Sequence, residues 1–323
     1  SGCGGLDLGF VGGFTFLRKK YARHPFDVIW ANDINPYAVA TYHRNLSTEA
    51  TCGDVWERIN ELPDSPDVLV GGFPCQDISV NGKRKGVAGA RSGLYRAMVA
   101  AIQQTTPKIF VAENVKGLLM KYNEAALETV LEDFGSLGYD VSYRLYQAAD
   151  YGVPQTRERV FIVGTSAGVA PFLPPPAVLP AAEWVTAEQA IHDLAALPED
   201  PEWNHIWSRA NRSPEQGNRR LRVDRPGYTI RAECHGNIQY HYELPRRISM
   251  REAARIQSFP DDFIFESRLR ETERQIGNAV PPVLGWHIAG AVAEALRGEA
   301  TAERAPSTES SPSRSRQPSL ATS

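Results

Sequence analysis

Between residues 68 and 76 the chain reads Val68-Leu69-Val70-Gly71-Gly72-Phe73-Pro74-Cys75-Gln76. An apolar run that ends in two glycines is typical of a buried strand that leaves its sheet in a loop. The proline beside Cys75 stiffens that loop, so the thiol can be presented as a nucleophile. The alternative is a small cysteine buried at a strand end, where it packs as an apolar residue.

Apolar runs of this kind recur along the first half of the chain and alternate with segments of helical periodicity. The strands are predicted at Phe26–Trp30, Val68–Val70, Ile109–Ala112, Val141–Leu145 and Val160–Val163. The helices between them are predicted at Pro36–Asn45, Leu94–Gln104 and Ala125–Leu137. This alternation predicts an α/β fold, a Rossmann-like, mostly parallel sheet with helices on both faces. Ligands of such sheets bind beyond the carboxyl ends of the strands.

The alternation stops at a cluster of prolines in residues 170–180, which we interpret as a domain boundary. A helix predicted at Val283–Leu296 would return the chain to the first domain, and the serine- and proline-rich end is expected to be disordered. The predicted units are a first domain 1–169, a smaller irregular domain 170–270, a returning segment 271–297 and a tail 298–323.

The composition is that of an ordinary soluble protein, with 42% apolar and 23% charged residues. No run approaches the roughly 18 apolar residues of a membrane span, and the start lacks the features of a signal peptide. The four cysteines are scattered, without a CxxC pair. We therefore expect a cytoplasmic protein with no membrane partner, no metal and no disulfide framework.

The charge is unevenly distributed along the chain. The formal net charge of −3 argues against a uniformly basic nucleic-acid binder, but residues 209–255 contain eleven arginines, no lysine and five acidic residues. The planar fork of arginine suits phosphate and guanine contacts. The alternative is a solvated loop with a chance excess of positive charge.

Three early loops carry the groups that a nucleoside-type cofactor requires. The glycines of Gly2-Cys3-Gly4-Gly5-Leu6 allow a ligand to approach the backbone closely at a helix N-terminus. Asp33 follows the first predicted strand and is placed to accept hydrogen bonds from ribose hydroxyls. Asp54 occupies a third loop, where it could accept from an adenine amino group. Either carboxylate could instead cap the helix that follows it.

Two later segments carry charged groups at strand ends. Glu113 directly follows a predicted strand, and partial desolvation would raise its pKa and make it a hydrogen-bond donor. The alternative is an exposed or helix-capping glutamate. Arg157 and Arg159 alternate before the next strand and so point to one face. There they could lower the pKa of a thiol, contact a phosphate or hold a bound base.

Taken in order, five motifs resemble those of the DNA (cytosine-5)-methyltransferase family. The motifs are Phe73-Pro74-Cys75-Gln76, Glu113-Asn114-Val115, the Gln-x-Arg-x-Arg run at 155–159, the Arg-Glu-Ala-Ala-Arg-Ile-Gln-Ser-Phe-Pro run at 251–260, and Gln-Ile-Gly-Asn-Ala-Val-Pro-Pro at 275–282. The resemblance, which includes the first glycine loop, covers residues 1–297. It implies the fold of an S-adenosylmethionine-dependent methyltransferase, with a variable, sequence-reading region at roughly 170–245 that coincides with the arginine excess.

The resemblance also implies a reaction and a set of site residues. A methyl group would pass from S-adenosylmethionine to C5 of a cytosine flipped out of duplex DNA, through a covalent bond between Cys75 and C6. Glu113 would engage N3 and the exocyclic amine, and Arg157, with Arg159 in support, would contact the base. The implied cofactor residues are Gly2, Gly4, Gly5, Leu6, Asp33, Asp54, Val55, Phe73, Asn278 and Val280. The implied DNA-binding residues are Gln76, Ser79, Arg91, Arg219, Arg220, Arg222 and Arg231.

Two other functions remain open at this point, an RNA cytosine-5 methyltransferase and an inactive DNA-binding relative. The large arginine-rich region favours DNA over RNA, and the presence of Cys75, Glu113 and Arg157 together favours an active enzyme. We expect a monomeric bacterial modification enzyme paired with a restriction endonuclease.

Members of the family usually have an apolar strand, ending in an aromatic residue, just before the first glycine loop. The sequence begins at Ser1 without that strand, and we expect it to be trimmed because an initiating methionine is absent. An enzyme without the strand would lack a central strand and one face of the adenine pocket.

Overall fold

A computed structural model describes residues 1–46, 50–73, 93–210, 218–232 and 238–298. Its strands are β1 (Phe14–Phe16), β2 (Lys19–Tyr21), β3 (Ala31–Asp33), β4 (Ala50–Cys52), β5 (Val68–Gly72), β6 (Ile109–Val115), β7 (Asp140–Gln147), β8 (Gln155–Thr156), β9 (Glu158–Thr165) and β10 (Gly227–Tyr228). Its helices are α1 (Gly5–Val11), α2 (Pro36–Asn45), α3 (Val55–Arg58), α4 (Leu94–Thr105), α5 (Glu124–Ser136), α6 (Ala187–Ile191), α7 (Met250–Ile256), α8 (Leu269–Asn278) and α9 (Pro282–Arg297). The predicted disorder of the tail concerns residues that, from 299 onward, lie outside these ranges.

The largest sheet has four strands in the order β5-β6-β9-β7. β5 and β6 are parallel, and β9 runs antiparallel to both β6 and β7, so this sheet is mixed. Two smaller parallel pairs are formed by β3 with β4 and by β8 with β10. The register places Gly72 beside Glu113, so the chain leaves β5 next to the acidic end of β6.

The α/β class is confirmed, and four of the five predicted strands and all four predicted helices are present with slightly different ends. The strand predicted at Phe26–Trp30 is wrong, because residues 22–30 are irregular and the strand begins only at Ala31. A strand needs a ladder of hydrogen bonds to a neighbouring strand, and none of the described strands forms such a ladder with this segment. Phe26 instead packs against Phe10, with ring centroids 5.5 Å apart.

A groove of about 360 Å³ lies along β5, at the edge of the four-stranded sheet. Its walls include the irregular segment 26–30 on one side and Val68, Leu69 and Val70 of β5 on the other. Among the described strands β5 pairs only with β6, so its second edge faces this groove. The Ser1 amino group donates to the Asn32 carbonyl at 2.9 Å, which places it beside β3.

The main core joins both halves of the chain. It contains residues of α1, β6, β9, α7 and α9, and it extends to Ile230 and Ile248. α9 packs along α1 so closely that a Cβ on Gly9 would lie 2.7 Å from the Gly285 carbonyl carbon. The irregular region after residue 170 is therefore packed onto the first part of the chain.

One helical stretch in the described part, Leu269–Arg297, passes a length and composition test for a membrane span. Of its most apolar window, 72% is buried within the protein. This degree of burial is typical of a helix in the core of a folded protein.

Candidate active site

The centre of the site is an ion pair between two neighbouring strands. Glu113 lies near the end of β6 and Arg159 near the start of β9, and the Arg159 Nε lies 2.8 Å from the Glu113 Oε1. Only 14% of the Glu113 side chain and 11% of the Arg159 side chain are exposed. Burial raises the pKa of Glu113, and the neighbouring charges of Arg159 and Arg157 oppose that rise. Glu113 is thus a desolvated carboxyl whose proton affinity is raised by burial and partly lowered again by the two arginines.

This pair opens into a cavity of about 520 Å³, within the range of small-ligand pockets. One wall comes from the sheet and the turn after β6, with Glu113, Val115, Lys116, Gly117, Glu158 and Arg159. The opposite wall comes from two distant segments, with Thr229, Ile230, Arg231, Ala232, Gly277 and Asn278. Residues of the arginine-rich region and of the last predicted motif therefore face the acidic end of β6.

Cys75 lies outside the described residues, as do Gln76, Ser79 and Arg91. The described chain reaches Phe73, two positions before Cys75. The Phe73 carbonyl accepts a 2.9 Å hydrogen bond from the amide of Asn114, the residue directly after Glu113. The described start of the loop is thus fixed beside the Glu113–Arg159 pair.

Arg157 occupies a different position from the one expected. Its side chain is 1% exposed, and its guanidinium donates to the carbonyls of Ile230, Gly277 and Ala279 at 2.9, 2.7 and 3.0 Å. It is not among the residues that line the cavity. Arg159 rather than Arg157 therefore lies beside Glu113 at the cavity.

Two of the residues expected to hold a cofactor, Asp33 and Asp54, lie at the ends of β3 and β4. The Asp33 carboxylate accepts from the backbone N–H groups of Gly2 and Asn35, at 2.9 and 2.8 Å. The Gly53 N–H donates to the Asp33 carbonyl, which brings the next acidic loop alongside. Asp54 caps α3 by accepting from the Trp56 N–H, so the capping interpretation holds for it. Each carboxylate keeps lone pairs for a ligand hydroxyl or amine.

The glycine loop is closely packed from behind. Gly4 has φ +91° and forms the N-cap of α1, which starts at Gly5 and includes Leu6. A Cβ on Gly5 would lie 2.5 Å from the Val280 carbonyl, so only glycine fits there. Val280 and Phe73 are buried, whereas Asn278 lines the cavity with Glu113. A carboxylate, a backbone loop without side chains and apolar surface are what a nucleoside-type group requires, so these residues fit S-adenosylmethionine.

The arginines expected to bind DNA differ in their surroundings. Arg220 donates to the His241 and Leu244 carbonyls at 2.6 and 3.0 Å and so holds its own region together. Arg222 pairs with Asp224, with Nε 3.2 Å from Oδ1, and the Arg219 guanidinium lies 5.3 Å from the centre of the Tyr228 ring. Arg231 lines the cavity that contains Glu113.

Several site residues had no role in the sequence analysis. Asn114 fixes Phe73, as described above, and the Gln155 amide donates to the Ile256 carbonyl while its oxygen accepts from the Ile230 N–H. Gly277 allows a close approach, since a Cβ there would lie 2.5 Å from the Ala232 nitrogen. Asn114 and Gln155 lie inside predicted motifs as buried amides, which was the available signal. Within the described ranges, no three His, Cys, Asp or Glu side chains are grouped as metal ligands.

Comparison with known proteins supports this arrangement. The family model described as C-5 cytosine-specific DNA methylase matches residues 1–220 and 199–294. The type II methyltransferase M.NgoFVII of Neisseria gonorrhoeae is 37% identical over 318 residues, which are 87% of this chain and 82% of the relative. M.BbvI of Brevibacillus brevis is 33% identical over 331 residues, covering 87% and 86%.

A similar fold occurs among solved structures. The Dnmt2 methyltransferase of S. pombe superimposes with a TM-score of 0.64 over 92% of this chain and 97% of its own. Its sequence identity is 18%, so the likeness concerns the fold.

Proposed function

Because this chain belongs to the C-5 cytosine-specific DNA methylase family, we propose that it methylates C5 of a cytosine flipped out of duplex DNA, with Cys75 as the nucleophile. The observation that carries this proposal is the buried Glu113–Arg159 pair at the end of β6, facing a cavity of about 520 Å³. The start of the loop that leads to Cys75 is hydrogen-bonded beside it. A base inside a duplex cannot reach such a cavity without leaving the stack.

In the proposed reaction the Cys75 thiolate forms a bond to C6, and electron density moves onto the pyrimidine ring. Glu113, whose pKa is raised by burial, donates to N3 in its protonated form and holds the exocyclic amine. Arg159 stabilises the negative charge that develops on the other side of the ring. S-adenosylmethionine, when bound, supplies an electrophilic methyl group for C5. Loss of the C5 proton to a base then breaks the S–C6 bond and returns the thiolate.

We further propose that Gly2, Gly4, Gly5 and Leu6 cradle the cofactor from the α1 side. Asp33 would accept from its ribose hydroxyls and Asp54 from its adenine amine, with Val55 and Phe73 as apolar surface. Asn278 and Val280 would close the site on the opposite side. Family and fold support S-adenosylmethionine as the donor, and the fit of the Asp33 loop supports these positions.

The domain assignment that goes with this function is a catalytic unit 1–169, a target-recognition region 170–270 and a returning segment 271–297. Of the arginines expected to bind DNA, Arg231 is the strongest candidate, because it lines the cavity that contains Glu113. The names of the bacterial relatives support a role in a restriction-modification system. A cytoplasmic monomer paired with a cognate endonuclease completes the proposal.

Bisulfite sequencing of host DNA after expression of the full-length gene product tests the function. We expect new methylation at C5 within one short sequence motif and none after Cys75→Ala. A folded wild-type protein that adds no methylated motif would overturn the activity. Methylation that persists in Cys75→Ala would instead overturn only the covalent route.

A further inference from the structure

The reaction proposed above gives the charged side chain of Arg157 no contact with the base. It lies between β8 and β9 and is 1% exposed. Burial holds the pKa of its guanidinium well below the usual value, so this cation is costly to bury. Its Nη1 and Nη2 donate to three backbone carbonyls.

The three carbonyls belong to the two segments that form the far wall of the cavity. Ile230 stands in the segment Thr229–Ala232, within the arginine-rich region. Gly277 and Ala279 flank Asn278 at the end of α8. The two segments also touch directly, since a Cβ on Gly277 would lie 2.5 Å from the Ala232 nitrogen and 2.6 Å from the Arg231 carbonyl carbon. The guanidinium of Arg157 therefore connects these two segments. The distance between them sets the width of the far wall of the cavity.

A second set of buried amides connects to the same point. The Gln257 amide donates to the Ala279 carbonyl at 2.6 Å, and Gln155 contacts both Gln257 and Ile230. The Ala279 carbonyl is thus shared by Arg157 and Gln257. This network runs from β8 through α7 to the loop before α9, and Arg157 supplies its only charge among these contacts.

We propose that Arg157 is a positioning residue that holds Thr229–Ala232 and Gly277–Ala279 at a fixed distance across from the Glu113–Arg159 pair. Resting on the proposed function, this assignment makes Arg157 the mechanical link between the sequence-reading region and the base pocket. A lysine cannot replace it, because one ammonium group lacks the planar fork that reaches carbonyls on two segments.

Hydrogen–deuterium exchange of the cofactor-free protein, combined with steady-state methylation of duplex DNA, tests the link. In Arg157→Lys we expect exchange over residues 226–232 and 275–281 to become at least about tenfold faster, while β6 and α5 exchange as before. We expect kcat to fall about 10²-fold because reacting groups are misplaced, and the KM for S-adenosylmethionine to rise because Asn278 and Val280 lie in the loosened segment. Arg159→Lys is the matched control, in which kcat falls but exchange stays at the wild-type rate.

Gly277→Ala keeps Arg157 but pushes Gly277–Ala279 away from Thr229–Ala232. If Arg157→Lys does not fold, Gly277→Ala must itself show the faster local exchange and the lower kcat. Unchanged local exchange in a folded Arg157→Lys protein that has lost activity would assign Arg157 to the base itself and overturn the proposal. Faster exchange throughout the protein would show that Arg157 only stabilises the fold in general, and this result would also overturn the proposal. Exchange is measured without substrate. It therefore shows whether Arg157 holds the two segments in place even if the protein does not methylate DNA.

Discussion

At the scale of single residues, the proton on Glu113 depends on a balance between burial and arginine. Burial alone favours the neutral carboxyl, because a carboxylate loses its water there. Arg159 at 2.8 Å favours the carboxylate, and Arg157 adds a second positive charge nearby. The net direction is a raised pKa, so Glu113 stays protonated to a higher pH than an exposed glutamate. That is the form able to donate to a ring nitrogen.

Replacing Arg159 by methionine should shift this balance in a known direction. The charge that opposes the rise is removed, so the pKa of Glu113 rises further and the carboxyl stays protonated to a still higher pH. The alkaline limb of the kcat profile should move to higher pH, while kcat at its optimum falls about 10²–10³-fold because one charge-stabilising group is lost. The measurement is kcat for DNA methylation as a function of pH.

Arg159→Lys is the control for that experiment. It keeps a positive charge near Glu113, so the alkaline limb should move less than in Arg159→Met, although kcat still falls because the fork geometry is lost. A limb that stays in place or moves to lower pH in Arg159→Met would show that Glu113 is not the titrating donor.

Part of this site is predictable from the sequence. An acidic residue at a strand exit was enough to select Glu113, because strand ends are read directly from apolar runs. The order of the two arginines was out of reach, since alternation places both on one face and says nothing of depth. The depth of Arg157 depends on Gly277, which follows 120 positions later in the chain. Long-range packing of that kind leaves no local pattern.

At the scale of elements, the pairing of β6 with β9 supports the site, since it carries Glu113 and Arg159. The register places Phe110 opposite Gly164. Phe110 is fully buried, packing against Phe134 at 4.8 Å and Tyr139 at 5.1 Å between ring centroids. A side chain at 164 would enter the space of that ring. The glycine in β9 is therefore a packing requirement of the sheet.

We predict that Gly164→Ala lowers the free energy of unfolding by about 1–3 kcal/mol, as overpacked cores do. The new Cβ would lie 2.0 Å from the Phe110 Cε1 and 2.4 Å from its Cζ, so the ring or the strand must shift. Urea unfolding followed by circular dichroism measures the effect.

Gly135→Ala is the matched control for Gly164→Ala. Gly135 lies in α5, and a Cβ there meets nothing within 4 Å. Alanine has the higher helix propensity, so this substitution should raise the free energy of unfolding by up to about 1 kcal/mol. Equal effects of the two substitutions would contradict the packing argument.

Most elements were predictable because their periodicity and their tertiary pairing agree. β5, β6 and β9 contain apolar runs, β7 alternates polar and apolar residues, and all four find partners in one sheet. The run Phe26–Trp30 is also largely apolar, but it joins no ladder of the described strands and remains irregular. Composition gives the preference for an extended backbone, whereas hydrogen bonding decides whether a strand forms.

At the scale of the whole molecule, a groove lies between β5 and the irregular segment 26–30 that leads into β3. Both of its walls are backbone in or near strands, and Val68, Leu69 and Val70 remain only half-buried along it. Ser1 stands at its end, with its nitrogen bonded to the Asn32 carbonyl. An extended segment joined to Ser1 would run back along both walls, and its amide could keep that hydrogen bond. Such a segment would join β3–β4 to the four-stranded sheet.

We therefore predict that fusing six residues of alternating apolar and polar character before Ser1 stabilises the protein. Burying three apolar side chains contributes about 1.5–3 kcal/mol each, and ladder hydrogen bonds add about 1 kcal/mol each. Ordering the segment costs about 1–2 kcal/mol per residue, which leaves a net gain of a few kcal/mol. Thermal unfolding should show a higher Tm for the fusion than for the chain that starts at Ser1.

A fusion of identical composition with the alternation shifted by one residue turns polar side chains into the groove. It should gain little, and equal Tm values for the two fusions would show that the groove does not accept a strand.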